Sequence, residues 1–238
     1  MQSQPQEPSK VSDLYGAART LFIQRVYTIL GCQLLVTVFM TILSMTSMSF
    51  FRFQIENTAL FFLAIVVCVV CQIWMFCCEG GRKYPQNIIL TSVFTLAESY
   101  MVSFICTATG MQSGNSLVLM AALMTLAVVA GCTMYAVYTK EDYTTSSALI
   151  VVLSIVLLCL FVILMFTNSP FLQAVYCGIG VLLFGIYIVV DTQLIVGGRS
   201  AQLDIDDYFL GSMLLYIDIV TMFLYILQLL GLASSSSN

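Results

Sequence analysis

Two aspartates, Asp191 and Asp218, stand in the stretch GIYIVVDTQLIVGGRSAQLDIDDYFLGSMLLYIDIVTMFLYIL, two long apolar runs joined by a short polar hinge. A carboxylate at membrane depth costs roughly 2.5 to 3.5 kcal/mol on insertion scales, so one acid in each of two consecutive apolar segments is hard to explain as filler. Glu98 lies inside a third apolar run, and no Lys or Arg lies inside any. Three buried acids without an intramembrane base must be protonated, meet a side chain reaching in from a loop, or coordinate a cation. Histidine is absent, which excludes Ser-His nucleophilic chemistry, histidine zinc sites and histidine-ligated haem. Carboxylates are left as the groups suited to proton or hard-cation chemistry.

The elements that position these acids follow from composition. The chain has 238 residues, 60% hydrophobic and 8% charged, with a mean hydropathy of +1.00; ordinary globular domains carry about 25% charged residues. This is the signature of an all-α, multi-pass membrane protein with no room for a soluble catalytic domain. Apolar runs and their breakers predict seven spans, at Val26–Met48, Thr58–Cys78, Asn87–Ala108, Ser116–Tyr138, Ser147–Phe166, Phe171–Val196 and Tyr208–Leu232. Residues 1–25 read as a disordered cytosolic tail, 26–232 as the membrane domain and 233–238 as a polar C-terminal tail. With the N-terminus in the cytosol, Lys10, Arg19, Arg25, Arg82, Lys83, Lys140 and Arg199 are cytosolic and only Arg52 lies opposite, which sets the orientation by the positive-inside rule.

On this map Asp191 lies roughly 9 Å above the cytosolic end of the sixth span and Asp218 roughly 15 Å into the seventh, at 1.5 Å per residue. The two spans are antiparallel neighbours, so the carboxyls are expected to meet across one interface. Tyr187 shares a face with Asp191, and Thr221 and Tyr225 share one with Asp218. Glu98 falls near the midplane and is expected to line the same route without being its switch. Arg82 is the candidate latch: a guanidinium stays charged, can bond a carboxylate in two places, and would hold Asp191 when that acid is ionised. Two adjacent carboxylates cannot both ionise cheaply, so the pair is expected to share a proton. Calcium prefers six to eight oxygens, more than Asp191 and Asp218 offer, so weak, transient binding there fits better than storage.

The other polar signals are weaker. Asp204, Asp206 and Asp207 lack EF-hand spacing, and Asp206 reads as the N-cap of the last helix. Of nine cysteines, Cys68 and Cys71 read as small buried hydrophobes, while Cys77 and Cys78 sit at a membrane boundary open to palmitoylation.

The segments FIQRVYTILGCQLLVTV, YPQNIILTSVFTLAESYMV, YTKEDYTT, GIYIVVDTQLIVGG and DDYFLGSMLLYIDIVTMFLYIL occur in an order and spacing that resembles the transmembrane Bax inhibitor motif proteins, lifeguard branch. The resemblance implies a seven-helix bundle that leaks calcium from internal stores in a pH-sensitive way and restrains cell death. Asp191 and Asp218 would be its paired sensor. It further implies residence in the endoplasmic reticulum or Golgi, with the plasma membrane as the alternative, and cell-death regulators or calcium-release channels as partners beside the bilayer and calcium. No enzyme activity, cofactor or nucleic-acid partner is expected. The family often has a histidine after the paired glycines, where this chain has Arg199 and Ser200 after Gly197 and Gly198. Two other readings compete: an interaction protein without transport of its own, and an intramembrane aspartyl protease. Against the protease, Leu215, Tyr216 and Ile217 precede Asp218 where that class has a Gly-x-Gly.

Overall fold

The computed structural model describes residues 8–145 and 147–236. Its helices are α1 (Pro8–Thr46), α2 (Met48–Glu56), α3 (Thr58–Cys77), α4 (Gln86–Ser113), α5 (Asn115–Tyr138), α6 (Ser147–Leu164), α7 (Pro170–Val196) and α8 (Tyr208–Ser236), with 3-10 turns at Glu79–Arg82 and Tyr143–Thr145 and no strand among the described residues. Six of the helices are long and apolar enough to cross a membrane, and a shorter apolar helix, Ala148–Leu164 in α6, accompanies them. This is a helical, multi-pass membrane bundle. Arg199, just beyond α7, donates to the Lys140 and Thr139 carbonyls just beyond α5. The two helices therefore end on the same side, and α6 carries the chain back between them.

α8 occupies the centre, packed on α7, α1, α5 and α4; α4 also packs on α1 and α3, while α6 lies at the edge against α7. The largest fully buried side chains, Tyr216, Phe22, Phe94 and Met75, come from four different helices and fill the middle. Leucines, valines and phenylalanines of α3, α5 and α6 point outward, as lipid requires. Gly180 sets the spacing of α7 on α8: a Cβ there would stand 2.7 Å from the Tyr225 ring. By contrast, nothing lies within 4 Å of a Cβ at Gly178.

The span boundaries match the apolar runs to within a few residues except at the ends of the chain. Residues 8–25, expected to be a disordered tail, form the first turns of α1; residues 1–7 lie outside the described residues. The reason is a buried stripe, Arg19, Phe22, Val26 and Leu30, at three- and four-residue spacing, which packs this polar stretch onto the ends of its neighbours. Similarly, α8 runs on through Ser236, into the segment expected to be a polar tail. α2 was not anticipated at all. The Ser47 hydroxyl accepts from the Phe50 amide to start it, and Phe51 and Gln54 turn inward from it.

Candidate functional site

α7 and α8 bring Asp191 and Asp218 together. Both are buried, 7% and 5% exposed, and their carboxyl groups are in hydrogen-bonding contact with each other. The second oxygen of Asp218, Oδ2, has no partner among the described residues. Asp191 sits in a fully buried turn with Ile188 and Thr192. An aspartate pair in this setting can hold a shared proton or receive a cation in transit. Among the described residues no three of His, Cys, Asp or Glu gather to hold an ion, and two carboxyls supply fewer oxygens than calcium takes. Two surface hollows, one by Arg25 and Tyr208 and one by Ser113 and Leu230, do not touch the pair.

The other two candidates lie elsewhere. Glu98 on α4 is half-buried and hydrogen-bonded to Cys68 of α3, away from the α7–α8 contact. Arg82 does not reach Asp191. Its Nη1 stands 3.6 Å from Asp207 Oδ2, just ahead of α8, while Nη2 and Nε donate to the Phe76 and Met75 carbonyls at 3.0 and 3.3 Å. The cause is local: the 3-10 turn folds Arg82 back over the end of its own preceding helix, where free carbonyls and the negative end of the dipole hold it. Burial pushes the Asp207 carboxyl above the usual carboxylate range, and Arg82 offsets part of that.

The side chains that do fasten the end of α7 were invisible in the sequence. Arg19 lies across it, with Nη2 on the Leu194 carbonyl and Nη1 on the Leu203 carbonyl, both at 2.5 Å, and Nε on the Val196 carbonyl at 3.3 Å. Its guanidinium carbon also stands 4.8 Å from the Phe22 ring centre, within cation–π range. Gly197 makes this possible twice over, with a φ of 77° and a Cβ position only 2.7 Å from Arg19 Nε. So Arg19 caps α7, Arg82 caps α3 and Arg199 caps α5, all at one end of the bundle. A carbonyl acceptor belongs to every residue type, which is why the sequence carries no trace of these contacts.

The YTKEDYTT segment completes this end. Gln193, two residues beyond Asp191 and 1% exposed, accepts from the Tyr143 amide and donates to the Glu141 carbonyl, both at 2.9 Å. Asp142 Oδ2 accepts from the Ser200 amide at 2.9 Å, and Oδ1 takes the Thr144 hydroxyl at 2.6 Å. These bonds hold the Asp142 carboxyl well below the usual carboxylate range. The α5–α6 loop is thus a clasp closed over the helix that carries Asp191.

The model of a family described as inhibitor of apoptosis-promoting Bax1 matches residues 19–235. The chain is 32% identical over 237 residues to protein lifeguard 3 of Homo sapiens, covering 94% of this chain and 75% of that protein. It is 32% identical over 218 residues to protein lifeguard 3 of Mus musculus, covering 90% and 69%. A BI1-like protein of Arabidopsis thaliana is 33% identical over 214 residues, covering 88% and 79%.

Proposed function

The chain belongs to the family of inhibitors of apoptosis-promoting Bax1, and from that premise we propose that it restrains cell death and acts as a pH-sensitive calcium leak of internal membranes, gated by Asp191 and Asp218. The observation that carries the gating is the contact of two buried carboxyls from neighbouring helices. Two unit charges about 4 Å apart repel by about 4 kcal/mol at an effective dielectric of about 20, so the pair holds together while it shares a proton and strains apart when both groups ionise. A calcium ion entering between them replaces the proton as the neutralising charge. Movement of α7 against α8 then changes access from the end where Arg19, Arg82 and Arg199 gather, which is the cytosolic one.

Partners among cell-death regulators or calcium-release channels fit the same role. An interaction protein without transport stands as the alternative. Purified protein in liposomes separates the two: a calcium flux above that of protein-free vesicles, changing between about pH 6 and 8, supports the leak. Flux equal to empty vesicles at every pH, with cell survival still improved on expression, leaves the alternative.

A further inference from the structure

Polar residues recur at every fourth position of α4, as Asn87, Thr91, Thr95, Ser99, Ser103 and Thr107, and all are buried. Four residues advance a helix by about 400°, so they form a column that winds by about 40° per step around it. From Thr95 to Thr107 the column faces α1. Gln33 Nε2 donates to Thr95 Oγ1 at 3.1 Å. Thr37 Oγ1 lies 3.0 Å from Ser99 Oγ and 2.7 Å from the Tyr216 phenol oxygen. Farther along, Thr107 donates to Ser44 at 2.8 Å, Ser44 to Gln54 Oε1 at 2.7 Å, and Gln54 Nε2 to Ser103 at 3.0 Å.

Hydrogen bonding between helices accounts for most of this seam. It does not account for the end nearest Asn87. Gln33 Oε1 and Thr91 Oγ1 are both fully enclosed and have no partner among the described residues, on residues 3% and 4% exposed. The Gln33 amide is already tied to Thr95, one helical turn from Thr91, so the two orphans open on the same part of the α1–α4 interface. An amide oxygen only accepts and a hydroxyl can donate, which is the complement of one water molecule. Buried waters characteristically join such otherwise unsatisfied groups. No member of the seam is charged, so its chemistry suits a neutral ligand rather than a bare cation.

We propose that Gln33 and Thr91 bind a buried water at the Asn87 end of the α1–α4 column, separate from the carboxyl pair. The separation is built into α8. Tyr216 and Asp218 stand two residues apart, about 200° around the helix axis, so Tyr216 meets α1 and α4 while Asp218 meets α7. The column therefore stands whether or not the pair gates a leak.

Radiolytic hydroxyl-radical footprinting of the full chain in nanodiscs tests this, because radicals formed at a bound water label adjacent side chains that bulk solvent does not reach. Phe94 and Tyr216, both 0% exposed and 5.9 Å apart between ring centres, should be oxidised in the wild type, and that oxidation should be lost in Gln33→Leu/Thr91→Val. Thermal melting of Thr91→Val alone gives a second readout. A hydroxyl that holds water is missed and the melting temperature falls; a bare buried hydroxyl is better replaced by a methyl and the melting temperature rises. Absence of wild-type oxidation at both rings, oxidation that persists in the folded double variant, or a higher melting temperature in Thr91→Val overturns the proposal.

Discussion

Removing the guanidinium of Arg19 should loosen the end of α7 more than any other single change at a polar residue in this region. Arg19 bonds three backbone carbonyls, those of Leu194, Val196 and Leu203, and is itself only 6% exposed. A hydrogen bond from a charged donor is worth about 1.5–3 kcal/mol, and the three share one geometry, so they do not add. Arg19→Leu should therefore cost about 3–5 kcal/mol, including carbonyls left bare at a helix terminus. Of this, about 2 kcal/mol should appear locally, speeding amide exchange over residues 197–203 by roughly thirtyfold after correction for intrinsic rates. Arg19→Lys keeps the charge but not the planar fork, and should fall between wild type and Arg19→Leu. Exchange mass spectrometry in nanodiscs, with thermal melting in parallel, reads both quantities. Unchanged exchange over 197–203 in folded Arg19→Leu protein would refute the cap, since those bonds are what the variant removes.

The clasp, the helix contact and the outer ion pair give further expectations. Asp142 has a carboxyl held below its usual range, so its stabilising bonds are fully present at any pH above the ordinary aspartate value of about 3.9 and fade as pH falls below that toward the lower folded value. Exchange of residues 139–145 should accordingly be insensitive to pH between about 6 and 8 and rise throughout that window in Asp142→Ala. Gly180→Ala places a methyl 2.7 Å from the Tyr225 ring and should cost about 1–3 kcal/mol in melting, with Tyr225→Leu in the same chain restoring most of it. Asp207→Asn removes one partly exposed ion pair between the end of α3 and the start of α8, so it should raise leak by no more than about fivefold, the equivalent of about 1 kcal/mol, while Arg82→Ala removes the α3 cap as well and should raise it at least as much. Because the folded Asp207 carboxyl takes up its proton at a higher pH than a free aspartate, the effect of Arg82→Ala should shrink on mild acidification.

What the chain discloses before folding is its solvent preference and its exceptions. α3, α5 and α7 begin and end within a residue or two of the apolar runs that predict them, because Asn57, Gly114, Ser169, Pro170 and Gly197 are breakers or caps at the run boundaries. Asp191 and Asp218 stood out for the same reason: a carboxyl in an apolar run is conspicuous without any coordinates. The lower part of α1 was hidden because its polar composition resembles that of a tail, and only Phe22, Val26 and Leu30 in register with Arg19 distinguish it. Arg82 was assigned to the wrong acid because reach along a loop cannot be judged until the 3-10 turn is known. The four-residue recurrence of Thr91, Thr95, Ser99, Ser103 and Thr107 was legible in the sequence. It passes as background when hydroxyl residues are counted as neutral membrane filler, and becomes informative when their common face is considered.

The most direct test of the carboxyl pair is calcium flux through purified Asp218→Asn protein in liposomes, measured beside wild type between about pH 6 and 8. An amide keeps the shape of the acid and most of its hydrogen bonds but neither titrates nor presents a negative charge to a cation. The account predicts a folded protein whose flux is abolished or fixed at one level across that range. A variant whose flux and pH response both equal those of wild type would contradict it.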